Sequence, residues 1–357
     1  MQQFDIQVFD HHYLCQYQDH QSIEYHTKDY RSLLRNSFFI SRNNQNIHIF
    51  RQANSQYYQF SKFHPTKANE ITHYQLRKCL IYNQFTNLLI YSSYDRLSVY
   101  NPCNYKQQIQ MIQDFNIVGL SQCEHLVLMA GLQANILFFS LRNGQSQIQK
   151  IVPNQECIIN QADFINNKEI IVSDNANQIR IFDADNFEKE KYLINCSHPV
   201  NHCEILQNLI IACLDQPIIF AYDRRQIEPS FQLKGHQNNN FVVRFDPQDN
   251  QKVATSGEDK KCLIWDLRNY SKPYSEVQAI TTPFYNILYN SQGQLICIES
   301  DDFIQIVDLQ NTKLYQIIDF FGKCHGCTFF QDKMYFNLQS NRQTGLFEYN
   351  LINNNKC

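Results

Sequence analysis

The chain has 357 residues, 43% of them apolar and only 18% charged, with a formal net charge of −3. That is enough apolar material for a large core. It gives no general electrostatic reason for binding nucleic acid or an anionic membrane.

From the N-terminus, Phe4–Phe9 alternates as a strand would, and residues 11–36 are irregular with room for a short helix. The first residues lack the basic region and apolar core of a signal peptide. Apolar runs such as LIIACL (209–214) are far shorter than the ~20 residues of a membrane helix. These features predict a soluble chain in the cytoplasm, the nucleus or both.

From residue 37 onward one pattern recurs: an apolar run, a few polar residues, and a second run ending in an aromatic or β-branched residue. The end markers are Phe50, Tyr100, Phe139, Phe182, Tyr222, Trp265, Val307 and Tyr349, at spacings of 50, 39, 43, 40, 43, 42 and 42. Examples are NLLIYSSYDRLSVYN before the second marker and EIIVSDNANQIRIFD before the fourth. This is the strand–turn–strand signature. Asp follows the marker at Asp183, Asp223, Asp266 and Asp308. Stretches such as KQQIQMIQDF and KLYQIIDFF read as further, outer strands. No long helical periodicity separates the units, so the fold class is all-β.

The unit at 233–268, LKGHQNNNFVVRFDPQDNQKVATSGEDKKCLIWDLR, is the most explicit. Gly235–His236 opens it, Glu258–Asp259 makes an acidic tight turn, and Trp265–Asp266 closes it. This layout resembles one WD (WD40) repeat, the unit of a β-propeller blade with a period of about 40–45 residues. The resemblance extends in weaker form over residues 37 to 351. It implies a hydrogen-bonded set of His236, Thr255 (with Ser256 second choice), Asp259 and Trp265. The chain has one Trp and one Gly–His pair, so the other blades must rely on apolar packing. Strand count favours eight blades, with Phe4–Phe9 closing the last. The alternative is seven blades closed by 56–60, with the first fifty residues as an appendage. The expected organisation is an N-terminal segment at 1–36 and a propeller at 37–357.

Catalytic and metal chemistry is hard to find. No nucleophile elbow or phosphate-binding loop is present. Asp301–Asp302 falls where the repeats make a tight turn. Cys324–His325–Gly326–Cys327 lacks a partner pair and reads as an inner strand. Cys196, His198, His202 and Cys203 are dense enough to suggest zinc, but adjacent strand residues point to opposite faces. The 13 cysteines are dispersed and read as small hydrophobes. Asn and Gln exceed a fifth of the chain and read as compositional bias. We therefore expect no metal, no cofactor and no enzyme.

A further resemblance lies in Val253–Arg268, which ends Trp265-Asp266-Leu267-Arg268. It is similar to the W-D-x-R box of substrate receptors that dock on the propeller adaptor of cullin–RING ubiquitin ligases. The preceding unit ends Tyr222-Asp223-Arg224-Arg225, a degenerate copy. The main expectation is a protein-interaction scaffold with other proteins as partners. The alternative is a ligase substrate receptor using Arg268 and Arg225, with Asp266 and Asp223 beside them.

Overall fold

The computed structural model describes residues 38–350 apart from 44–45, 52–58, 66–79, 94–95, 104–106, 112–116, 132–134, 143–145, 151–156, 308–314 and short loop breaks at 227, 281 and between 291 and 343. All secondary structure in the described residues is β, in thirty strands, β1–β30. Strands β1 (Phe38–Asn43) and β2 (Asn46–Arg51) form a two-stranded hairpin. The other twenty-eight form seven four-stranded antiparallel sheets. Six are simple meanders at 80–111, 117–150, 159–195, 200–234, 240–278 and 284–319, here called blades 1 to 6. Blade 7 takes three strands from 323–350 and its fourth from the early strand β3 (Gln59–Pro65), which pairs with β30 (Thr344–Asn350).

Period-two alternation explains why the blades stack. In the second strand of blade 4, β17 (Leu209–Leu214), Ile210, Ala212 and Leu214 pack against blade 3, while Ile211 and Cys213 pack against blade 5. A strand buried on both faces reads as a continuous apolar run. Seven core clusters result, each drawn from two neighbouring blades. Each buried aliphatic side chain contributes roughly 1.5–3 kcal/mol. The seventh cluster joins Tyr335 and Leu346 of blade 7 to Leu80, Leu89 and Tyr91 of blade 1, so the ring is closed.

That contact corrects the expectation of eight blades. An eighth would have to stand between blades 7 and 1, where the side chains already touch. The hairpin that carries the marker Phe50 resembles a blade in sequence because it repeats the strand–turn–strand pattern. Its β2 instead neighbours β3 and the outer strand of blade 6, β27 (Tyr315–Asp319). An early strand closes the ring, as in the seven-blade alternative, but it is Gln59–Pro65 and shares only residues 59 and 60 with the expected 56–60. Phe4–Phe9 and residues 11–36 lie outside the described residues.

The first strand of each blade lines the axis, and in blades 2 to 7 its pairing slips by one residue near its start. The slips fall at 117/119, 159/161, 200/202, 240/242, 284/286 and 324/326. Such bulges bend a strand and re-aim the extra residue. Two of the extra residues, Asn160 and Asn201, send their amides to carbonyls of the next blade, Val200 O at 2.9 Å and Asn240 O at 3.0 Å. Gln161 brackets Cys203, accepting from its N–H at 2.7 Å and donating to its carbonyl at 2.8 Å. Asn83 donates to Glu124 O at 2.6 Å. These partners are 39 to 42 residues apart, one repeat.

Candidate functional site

In an antiparallel meander the first and third turns of every blade emerge on one face of the ring, and the second turn emerges on the other with the entry into the blade. Blade 5 uses both faces. At its entry, His236 Nδ1 lies 2.9 and 3.0 Å from the Asp259 carboxylate oxygens, and its Nε2 lies 2.9 Å from Thr255 Oγ1. Trp265 Nε1 donates to the same hydroxyl at 2.8 Å. Asp259 also accepts the backbone N–H of Gln237 and of Lys261, closing the turn. Burial pushes the Asp259 carboxyl up, but hydrogen bonds from His236 and the two amides outweigh it and hold it below the ordinary value. Ser256, the second choice for the hydroxyl, is buried but outside this set. Two glycines make room. A Cβ on Gly235 would lie 2.8 Å from Trp265 Cη2, and one on Gly257 would lie 2.9 Å from Asn239 O.

Blade 4 has a reduced version. Tyr222 stands where Trp265 stands in blade 5 and hydrogen-bonds Cys196, which occupies the histidine place. Burial raises the Cys196 thiol to about 11, with the Tyr222 contact opposing, so it is a poor nucleophile.

On the opposite face, the third strands of blades 4 and 5, β18 (Ile218–Asp223) and β22 (Lys261–Asp266), end in matching structures. Arg225 folds back on Asp223: Nε donates at 2.8 Å, Nη2 at 2.5 Å, and the backbone N–H at 3.0 Å. Arg268 repeats this on Asp266 at 2.8, 2.6 and 3.0 Å. Both arginine side chains are exposed, at 63% and 59%. The hydrogen bonds from each arginine, side chain first and then backbone, bring both Asp carboxyls down to about 2. A guanidinium has five N–H donors in a planar fork. Pairing one edge with Asp leaves Nη1 out of the pairing while fixing the plane, which reduces the ordering cost of a second, bidentate partner. In Arg268 a second carboxylate, Asp249, already stands 3.5 Å from Nη2.

Beside these forks lie residues that no repeat position pointed to. Tyr270 is 40% exposed and stacks on Phe231 of blade 4 with ring centroids 4.5 Å apart. Tyr274 is 63% exposed, with Lys252 Nζ 5.7 Å from its ring centroid. Exposed Tyr and Arg side by side is the composition of interface hot spots. The available signal was two tyrosines within six residues of the closing Arg268, in RNYSKPY. Arg224 fills the unspecified position of the W-D-x-R pattern. It is Arg224 that crosses to blade 3, 2.9 Å from Glu169, which also holds Lys191 at 3.2 Å. Lys191 in turn sits 3.3 Å from Asp183, which has no arginine two residues on.

The cysteine and histidine clusters do not converge. His198 is exposed against Ser197, His202 meets Arg244, and Cys203 is buried in the core between blades 3 and 4. Cys324 and Cys327 lie in β28 (Lys323–Phe330), the inner strand of blade 7, where burial pushes both thiols up, Cys324 to about 12. Among the described residues no three His, Cys, Asp or Glu side chains are placed to hold a metal ion. Asp301–Asp302 and Asp308 lie outside the described residues.

No family model matches the chain. It is 26% identical over 148 residues to DNA damage-binding protein CMR1 of Scheffersomyces stipitis, covering 36% of this chain and 29% of that protein. It is 32% identical over 99 residues to histone acetyltransferase type B subunit 2 of Aspergillus fumigatus, covering 25% and 22%. The chain thus spans less than a third of the length of the curated relatives it matches. Among solved structures, a chain from the crystal structure of the mitotic checkpoint complex superposes with a TM-score of 0.69 at 10% identity, over 82% of this chain and 94% of that one. The two relatives and this neighbour are WD40 proteins.

Proposed function

For a chain that folds as a β-propeller of the WD40 type, we propose the role of a non-catalytic scaffold that assembles other proteins through its faces and rim. A rigid ring presents loops on two faces, and partners bind those loops while the blades hold them in register. The observation that carries this reading is the pair of matching Asp–Arg forks on adjacent blades, exposed beside Tyr270 and Tyr274. We assign the chain no cofactor and no membrane attachment. The relatives are named for DNA damage binding and histone acetylation, and on that basis we assign it to the nucleus.

The test is affinity purification with mass spectrometry on the full chain and on an Arg225→Ala/Arg268→Ala variant. The scaffold reading expects a defined set of co-purifying proteins, part of which the double variant loses while its circular dichroism and melting stay unchanged. An identical partner set for both proteins would overturn the role given to the forks. The finer reading, a substrate receptor of a cullin–RING ligase, is favoured by the occurrence of the Asp–Arg ending on two adjacent blades. It expects the ligase's propeller adaptor among the proteins lost. If the adaptor is missing from the wild-type purification, the finer reading is removed and the scaffold reading stands.

A further inference from the structure

The inner seam between blades 4 and 5 carries a contact that depends on protonation. Arg244, in β20 (Asn240–Phe245), places Nη1 2.7 Å from Nε2 of His202, in β16 (Val200–Leu206). Arginine keeps its proton in proteins and has no acceptor atom. Arg244 therefore donates and His202 Nε2 accepts, which requires a neutral imidazole with its proton on Nδ1. A proton on Nε2 would set two donors against each other at that distance, and in the imidazolium they would also carry like charge.

The surroundings bear on both states. Glu204, two residues along the same strand, has one carboxylate oxygen 3.8 Å from Arg244 Nη1, and the other accepts the Phe245 N–H at 2.5 Å. Asp163 of blade 3 lines the same axial pocket, held by Gln161 Nε2 at 2.7 Å. Blade 6 adds the uncharged Asn286 and blade 2 only Val118, Gly119 and Leu120. Other polar ties along this seam run from Asn201 to Asn240 O and from Asn240 Nδ2 to Gln216 O at one end, and from Glu204 to Phe245 N at the other. The His202–Arg244 contact lies between these two ends.

We propose that His202 is a proton-operated latch on the axis of the ring. Neutral, it holds Arg244 and ties blade 4 to blade 5. Protonated by solvent, it expels the guanidinium toward Glu204 and Asp163, loosens the inner seam and makes the channel more positive.

Nitrogen-15 and carbon-13 NMR of labelled histidine in the full chain, with amide hydrogen exchange from pH 8 to 5, tests this. At pH 8 His202 should be the Nδ1–H tautomer. As it titrates, exchange in 200–206 and 240–245, corrected for the intrinsic pH dependence, should rise about tenfold or more, the low end of what a charge-assisted hydrogen bond contributes. In His202→Gln, which keeps an acceptor and cannot titrate, the rise should vanish. In Arg244→Met the seam should be open at every pH, with no step. An Nε2–H tautomer at pH 8, protection unchanged through the titration of His202, or a step that persists in either variant would overturn the proposal.

Discussion

Thr255→Val isolates the polar node of blade 5. The Thr255 hydroxyl joins His236 Nε2 at 2.9 Å to Trp265 Nε1 at 2.8 Å, and Thr255 and Trp265 are both fully buried. Valine keeps the shape and removes only the hydroxyl, so the packing term changes little. Two buried polar groups then lose their shared partner. Each such loss costs about 1–3 kcal/mol, and because the two share one hydroxyl they do not add fully. We expect a cost of about 3 kcal/mol, or exchange of the blade 5 amides about 150-fold faster where they open locally. Thr255→Ser keeps the hydroxyl and deletes one methyl, for about 1 kcal/mol. Hydrogen exchange by mass spectrometry over 233–278, with urea unfolding alongside, reads both variants. If Val and Ser agree within about 0.5 kcal/mol, the hydrogen-bonded node does not hold the blade together and the reasoning fails.

Asp174→Asn should destabilise the chain by about 3 kcal/mol in urea, because it removes the carboxylate 3.4 Å from the nearly buried Arg180 and leaves that charge on the neutral Gln178 Oε1. Gly235→Ala should cost about 1–3 kcal/mol through its clash with Trp265 Cη2, measured by thermal melting. The forks should withstand acid. A carboxyl brought down to about 2 contributes stability above its ordinary value of 3.8 and loses it as pH falls through about 2. Carboxyl NMR should therefore find Asp223 and Asp266 ionised down to about pH 3, and Arg268→Gln should return Asp266 toward 3.8. A midpoint for Asp266 that ignores Arg268 would mean the fork does not form in solution.

Much of the ring could be read from the chain because burial on both sheet faces leaves a period-two record. Seven of the eight markers, from Tyr100 to Tyr349, lie at or next to the end of a blade's third strand. The count of blades was not legible. A hairpin carries the same local pattern as half a blade, and only the meeting of Tyr335 with Leu80 shows which hairpin is left out of the ring. The amide ties were hidden for a different reason. Asn160, Gln161 and Asn201 look like part of a chain-wide excess of amides until their partners, 39 to 42 residues on, are brought alongside. At the rim, the sequence places Arg225 and Arg268 two residues after their aspartates. It does not reveal that each turns back on that aspartate, because the two-residue spacing is equally open to an outward side chain.

The pairing of β3 with β30 also sets a timetable for synthesis. Pro65 leaves the ribosome 279 residues before Thr344. At about 5–20 residues per second, β3 waits roughly 15–60 s for its partner. Throughout that time an unpaired strand and six growing blades expose edges that invite wrong pairing. The nascent chain therefore has a window of exposed strand edges that ends only when its last blade emerges. A premature stop anywhere before residue 344 leaves that window permanently open.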